Sequence, residues 1–236
     1  MRGLMPGAMR VLFVLAVVIL GLGLWIVFGN HSEIDGSYDF DPSRVTADLD
    51  EYLRQSEQGV PNLRQDAAKR IVWSGSAGEK TEWSVVYLHG YSATLEEIRP
   101  VPDMVAKAIG ANLFFTRLSG HGRDGDAMAE PMGTDWLADT AEAMEIGRRI
   151  GEKVILIGTS TGGTLAAIAA GDPSMRKDLA GIVFVSPNFK INNPMASLMG
   201  WPGARWWGPK LAGDTRSFEP RNDMQAKHWT TSYPMV

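Results

Sequence analysis

The sequence predicts an α/β fold: a mostly parallel sheet with helices on both faces. Three observations predict it. Short apolar runs recur at Trp83–Leu88, Leu113–Thr116, Val154–Ile157 and Ile182–Val185, and unbroken runs of this length read as strands buried on both faces. Helical stretches lie between them, so successive strands are joined by crossovers. One run passes through Gly158-Thr159-Ser160-Thr161-Gly162 straight into a small-residue helix, Thr164–Ala170, stopped by Gly171 and Pro173.

In chain order, Val11–Phe28 comes first: 18 residues without a charge, after Arg2 and Arg10 and before His31, Glu33 and Asp35. As a helix it spans ~27 Å, close to the ~30 Å hydrocarbon core of a bilayer. The positive flank predicts a transmembrane anchor over 11–28, with residues 1–10 cytoplasmic and the remainder outside, periplasmic in a bacterium. A cleaved signal peptide is the competing reading, although no A-x-A site follows the run. Asn30-His31-Ser32 fits a glycosylation sequon. Residues 29–66 read as a linker and a flanking helix: Asp41 caps Pro42–Gln58, with Val45, Leu49 and Leu53 on one face. Ile71–Trp73 is a short strand and Gly75–Lys80 a turn. Leu95–Ile109 is a helix that Pro100 and Pro102 kink or restart. Thr134 caps a helix through Ile150, with Asp135 in its first turn, Arg148 and Arg149 in its last, and Gly151 at its stop. Residues 67–189 thus form an α/β core.

From Lys190 the alternation stops. Residues 190–236 carry Trp201, Trp206, Trp207 and Trp229, together with Met195, Met199 and Met224, and are broken by prolines at 194, 202, 209 and 220. This reads as a lid or cap over an apolar pocket, or as an irregular insert with ordinary core packing.

Composition narrows the chemistry. The 236 residues carry a net charge of −4, which argues against a nucleic-acid surface. The chain has no cysteine, which excludes disulfides, thiolate metal sites and a cysteine nucleophile. Its four histidines are His31, His89, His121 and His228. No cofactor and no metal is expected.

Ser160 is the candidate nucleophile. It stands on a tight strand-to-helix turn whose glycines allow a sharp bend, and the following helix aims free N–H groups at it. A dinucleotide-binding turn shares the strand, glycines and helix, but here the glycines run G-x-x-x-G-G and follow several strands.

Leu88-His89-Gly90-Tyr91, Leu118-Ser119-Gly120-His121-Gly122 and Gly158-Thr159-Ser160-Thr161-Gly162, in that order, resemble the α/β-hydrolase superfamily. More narrowly they resemble its monoacylglycerol lipase, carboxylesterase and serine aminopeptidase (S33-like) branch. The resemblance covers about Val72 to Asn188. It implies hydrolysis of a small-molecule acyl ester, lipid-like, monoglyceride or lysophospholipid in type, through an acyl-Ser160 intermediate; an amide substrate and a non-catalytic binding protein are the alternatives. It also implies that the main-chain N–H groups of Thr161 and Tyr91 are the oxyanion donors. The family's order of nucleophile, acid and base leaves Asp214 or Asp223 as acid and His228 as base, with no strand between them. Two further strands are expected after Ile182–Val185, so the chain is expected to be a C-terminally truncated fragment in which the true acid and base are absent. His89 is expected to brace its turn and His121 to be structural in its loop.

Overall fold

The computed structural model describes residues 7–29, 36–190, 198 and 200–235. The Asn30-His31-Ser32 sequon and Met195 and Met199 lie outside the described residues. Internal contacts divide the chain into two compact units. The smaller holds helix α1 (Gly7–Phe28) and the stretch around helix α6 (Ala204–Ala212); the larger holds the rest.

Helix α1 is 22 residues long, with a mean hydropathy of 3.0 over its most apolar 18-residue window and none of that window buried. It is long and apolar enough to cross a membrane.

The larger unit is built on a five-stranded sheet of order β1-β3-β2-β4-β5, formed by β1 (Arg70–Val72), β2 (Thr81–Leu88), β3 (Asn112–Phe115), β4 (Gly151–Thr159) and β5 (Leu179–Val185). β1 pairs antiparallel with β3, and every other pairing in this sheet is parallel. Period-two alternation separates two cores. Val86, Leu88, Phe114, Val154 and Leu156 point to one face, where they meet helices α2 (Leu49–Gln58), α4 (Gly133–Ile150) and α5 (Thr161–Gly171). Val85, Tyr87, Leu113, Phe115 and Ile157 point to the other, where Leu95 and helix α3 (Val101–Ala108) cover them. Burial on both faces is why these strands read as unbroken apolar runs.

Several local expectations shift. Pro42–Gln58 is not one helix. Asp41 caps a 3₁₀ turn over Pro42–Arg44, and Asp48 opens α2 by accepting the Glu51 N–H at 3.0 Å. Val45, Leu49 and Leu53 still share one core. Leu95–Ile109 is helical only from Val101, because Pro100 sits at the cap and Pro102 in the first turn, where a missing N–H costs nothing. α4 is capped from Met132 rather than Thr134, and Asp135 Oδ2 accepts the Met132 N–H at 2.6 Å. A short strand does separate Asp214 from His228. β6 (Thr215–Ser217) pairs antiparallel with β7 (Ser232–Pro234), flanking helix α7 (Asp223–His228). Three-residue strands in so irregular a stretch leave no periodic signal.

Buried ion pairs tie the segment before the sheet to the core. Arg117 meets Glu57 in a two-pronged pair at 2.9 and 2.7 Å, and Glu57 Oε2 also accepts the Lys69 N–H at 3.1 Å. Lys69 Nζ pairs with Glu142, whose other oxygen accepts the Tyr52 hydroxyl at 2.6 Å. Removing one partner of such a pair strands a buried charge. Glu57→Ala is therefore expected to cost about 3–5 kcal/mol and Glu57→Gln less, read as the shift in urea midpoint at constant slope.

Candidate active site

Ser160 links the end of β4 to the start of α5, with φ +51° and ψ −113°. A non-glycine residue held there stores about 1–3 kcal/mol of strain, which persists only when the surroundings over-determine it. Four main-chain bonds do so. The Ser160 N–H donates to Val185 O at 3.0 Å, and the Ser160 carbonyl accepts from Gly163 (3.0 Å), Thr164 (3.2 Å) and Asn188 (3.0 Å). The residue is half-buried, and among the described residues its hydroxyl makes no hydrogen bond.

The turn is packed main chain against main chain. A Cβ on Gly158 would lie 2.4 Å from Gly162 O, and one on Gly162 would lie 2.1 Å from Leu88 O and 2.6 Å from His89 O. The end of β2 is thereby pressed against the start of α5. A Cβ on Gly90 would meet Glu97 Oε1 at 2.7 Å and Ser160 Cβ at 3.2 Å, which puts the turn after β2 directly beside Ser160.

Polar side chains fix that turn. Glu97 Oε2 accepts the Gly90 N–H at 2.7 Å and the Tyr87 hydroxyl at 2.9 Å, and burial raises the Glu97 pKa. His121 Nε2 accepts the Ser92 N–H at 3.0 Å, while His89 Nε2 accepts the Leu118 N–H at 3.1 Å. Each Nδ1–H then donates to a carbonyl, Gly90 O for His89 (2.9 Å) and Ser119 O for His121 (3.1 Å). The two rings stand 4.9 Å apart. Burial, the neighbouring His121 and Arg117 hold the His89 pKa well below its ordinary value; burial lowers that of His121 to about 4. Both are neutral braces at pH 7. Asp139 accepts the Ser119 N–H at 2.6 Å, its pKa raised by burial to about 6.

These partners leave three amides over, those of Tyr91, Thr161 and Gly162. Gly90, Ser92, Ser160, Gly163 and Thr164 all spend their N–H groups within the protein. The N–H groups of Tyr91, Thr161 and Gly162 take no acceptor among the described residues.

The Tyr91 ring sits among His121 (5.7 Å), Trp136 (5.8 Å) and Tyr233 (5.2 Å), all edge-on. The Thr230 N–H donates to Ser92 O at 2.7 Å, so the segment ending in β7 is seated on the same turn. Of the remaining candidates, Asp214 and Asp223 are exposed and lie at the edges of β6 and α7. His228 is buried, its Nδ1 3.0 Å from Asp66 Oδ2 as an ion-pair approach without hydrogen-bond alignment, and its carbonyl accepts from Arg64 at 3.1 Å. Among the described residues, no group of three or more histidine, aspartate or glutamate side chains could hold a metal ion.

Sequence reasoning passed over Glu97, Tyr87 and Asp139. Glu97 lies in Leu95-Glu96-Glu97-Ile98-Arg99, which reads as a charged helix face; only the failure of a helix to form there turns it inward.

A family model described as serine aminopeptidase, S33, matches residues 79–235. A thermostable monoacylglycerol lipase from Bacillus sp. (strain H-257) is 29% identical over 116 residues, covering 49% of this chain and 45% of that protein. The chain thus spans about half the length of this curated relative. Among solved structures, one from work on the metagenome-derived lipolytic enzymes LipS and LipT superposes with a TM-score of 0.56 at 20% identity, covering 73% of this chain and 65% of the other.

The buried histidines set a pH dependence. A histidine whose folded pKa is depressed adds stability above its unfolded pKa of ~6.5 and loses it as pH falls toward the folded value. For His121 the window is therefore about pH 6.5 down to about 4, worth about 3 kcal/mol. Asp139, its pKa raised to about 6, acts in the opposite direction. Urea midpoints measured between pH 7 and 4 are expected to fall more steeply in the wild type than in His121→Gln.

Proposed function

Because the chain belongs to the serine aminopeptidase S33 family of the α/β-hydrolase superfamily, we propose that it acts as a serine hydrolase of the carboxylesterase and lipase-like type, with Ser160 as nucleophile. The carrying observation is the unspent amides at Tyr91 and Thr161, on the two turns that meet at Gly90 and Ser160. In this reading Ser160 Oγ attacks the acyl carbon and the carbonyl oxygen becomes an oxyanion. The Tyr91 and Thr161 N–H groups donate to it, the alcohol leaves carrying the proton that Ser160 gives up, and water then cleaves the acyl-Ser160 ester, returning a proton to Ser160 and releasing the carboxylic acid. Losing one such donor costs about 3–4 kcal/mol of transition-state stabilisation. The N-terminus of α5 adds its dipole to the same spot.

The substrate class we infer is a carboxylic ester with a lipid-like acyl chain, of the monoglyceride or lysophospholipid kind. The similarity to a monoacylglycerol lipase supports it, as does the apolar helix α1, read here as a single-pass anchor over residues 11–28 with a cytoplasmic N-terminus. The family model's description favours a second reading, an aminoacyl amide. Residues 190–236 act as the lid or cap, a role supported by the seating of Thr230 and Tyr233 on the Tyr91 turn. We assign the catalytic base to none of the described histidines, and no cofactor, metal or nucleic acid enters the reaction.

A fluorophosphonate probe on the full gene product tests the nucleophile. Wild-type protein is expected to be labelled and Ser160→Ala not; equal labelling of the two, or none of either, overturns the assignment. Tyr91→Ala is expected to keep far more labelling than Ser160→Ala, because its donor is main chain. Comparing p-nitrophenyl esters with aminoacyl p-nitroanilides then separates ester from amide, with the esters expected to turn over faster.

A further inference from the structure

The smaller unit joins two features that the sequence keeps more than 170 residues apart. A side chain on Gly203 would touch Trp25 at 3.5 Å, and one on Gly29 would strike the Pro202 ring at 2.6 Å. The Trp207 indole N–H donates to Pro202 O at 3.0 Å, locking the turn that leads into α6. The Pro202–Gly203 turn that leads into α6 is therefore seated on the end of α1. Around that seat the apolar side chains stand outward: Trp206 is 78% exposed, Leu211 80% and Trp201 36%. Lys210 is exposed among them.

Length fixes the depth at which this cluster would sit. The 22 residues of α1 span ~33 Å, about one hydrocarbon core. Trp25 and Gly29 then fall at one boundary of that core, and so does whatever packs on them. That boundary is where tryptophan is enriched, since its ring is apolar and its N–H polar. Lysine suits the same layer, its stem lying along apolar surface and its ammonium reaching lipid phosphate. A nine-residue helix such as α6 would bind a bilayer weakly alone. Joined to α1 it meets the surface at high effective concentration, so weak affinity suffices.

We propose that residues 201–212 form an interfacial collar: Trp201, Trp206 and Leu211 enter the headgroup layer of the bilayer that α1 crosses, and Lys210 pairs with lipid phosphate. The collar rests on the anchor reading of α1 and adds a second, monotopic contact to it. It holds the α6 part of the proposed lid or cap at the membrane surface.

The absence of cysteine makes the test direct. Trp206→Cys and Leu211→Cys, each labelled with an NBD fluorophore, are placed in the full chain and reconstituted in phosphatidylcholine–phosphatidylglycerol vesicles. Both sites are exposed, so neither substitution opens a cavity. NBD emission is expected to shift to the blue, and iodide in the water phase to quench it several-fold less than it quenches free dye. Nitroxide lipids labelled near the headgroup should quench it more than lipids labelled deep in the chain. Alkaline carbonate extraction of the same vesicles tests the anchor: release of the chain overturns the anchor reading. If the chain is retained but iodide quenches both probes as it does free dye, the collar alone is overturned. Shielding from iodide without quenching by nitroxide lipids means that a protein surface covers α6, and that outcome overturns the collar as well.

Discussion

The closest approach in the site is between backbones. Gly162 lies where a single added carbon would fall 2.1 Å from Leu88 O, far inside any tolerable contact. Everything around Ser160 follows from that constraint. The end of β2 and the start of α5 touch without side chains between them, so the turn that leaves β2 has nowhere to go except beside Ser160. The same approach brings the turn that carries the unspent N–H of Tyr91 beside the start of α5, where any helix leaves its first N–H groups unbonded.

Holding the arrangement is a matter of spending the other polar groups. Ser160 keeps its strained backbone because four main-chain bonds converge on it, each worth about 1 kcal/mol net. The Gly90 and Ser92 amides, on either side of Tyr91, are bound by Glu97 and His121. Such bonds are strong where water is excluded, and the same exclusion explains the pKa directions. Burial keeps the imidazoles neutral, and a neutral imidazole can accept an N–H with one nitrogen while donating with the other. A charged ring would donate twice and lose the main-chain N–H it accepts, that of Ser92 for His121 and that of Leu118 for His89.

How much of this the sequence displayed depends on whether the signal is local. The strands β2, β3 and β4 were legible because both faces are buried and the runs are apolar throughout. The bend at Ser160 was legible because its glycines and serine are contiguous. Glu97 was not, since its role arises from a stretch that looks helical and instead turns at Thr94–Arg99 ahead of a proline. β6 and β7 were not either: strands of three residues carry less than two periods of alternation. His228 shows the limit most plainly, because chain order offers it as a base while its contacts are with Arg64 and Asp66, far away in sequence.

The histidines close the argument about proton transfer. On the proposed mechanism the Ser160 proton must pass to a group with a free lone pair and a pKa near the working pH. His89 and His121 are close in sequence to the site's turns, yet neither qualifies. Each has one nitrogen accepting a main-chain N–H and the other donating to a carbonyl, and both pKa values are driven down by burial. Protonating His121 would break the bond it accepts from the Ser92 N–H, beside Tyr91, and protonating His89 would break the bond it accepts from the Leu118 N–H, so either ring could take a proton only by giving up a main-chain bond that holds these loops. The two rings nearest the chemistry are therefore committed to architecture, and the base that activates Ser160 must be a different group.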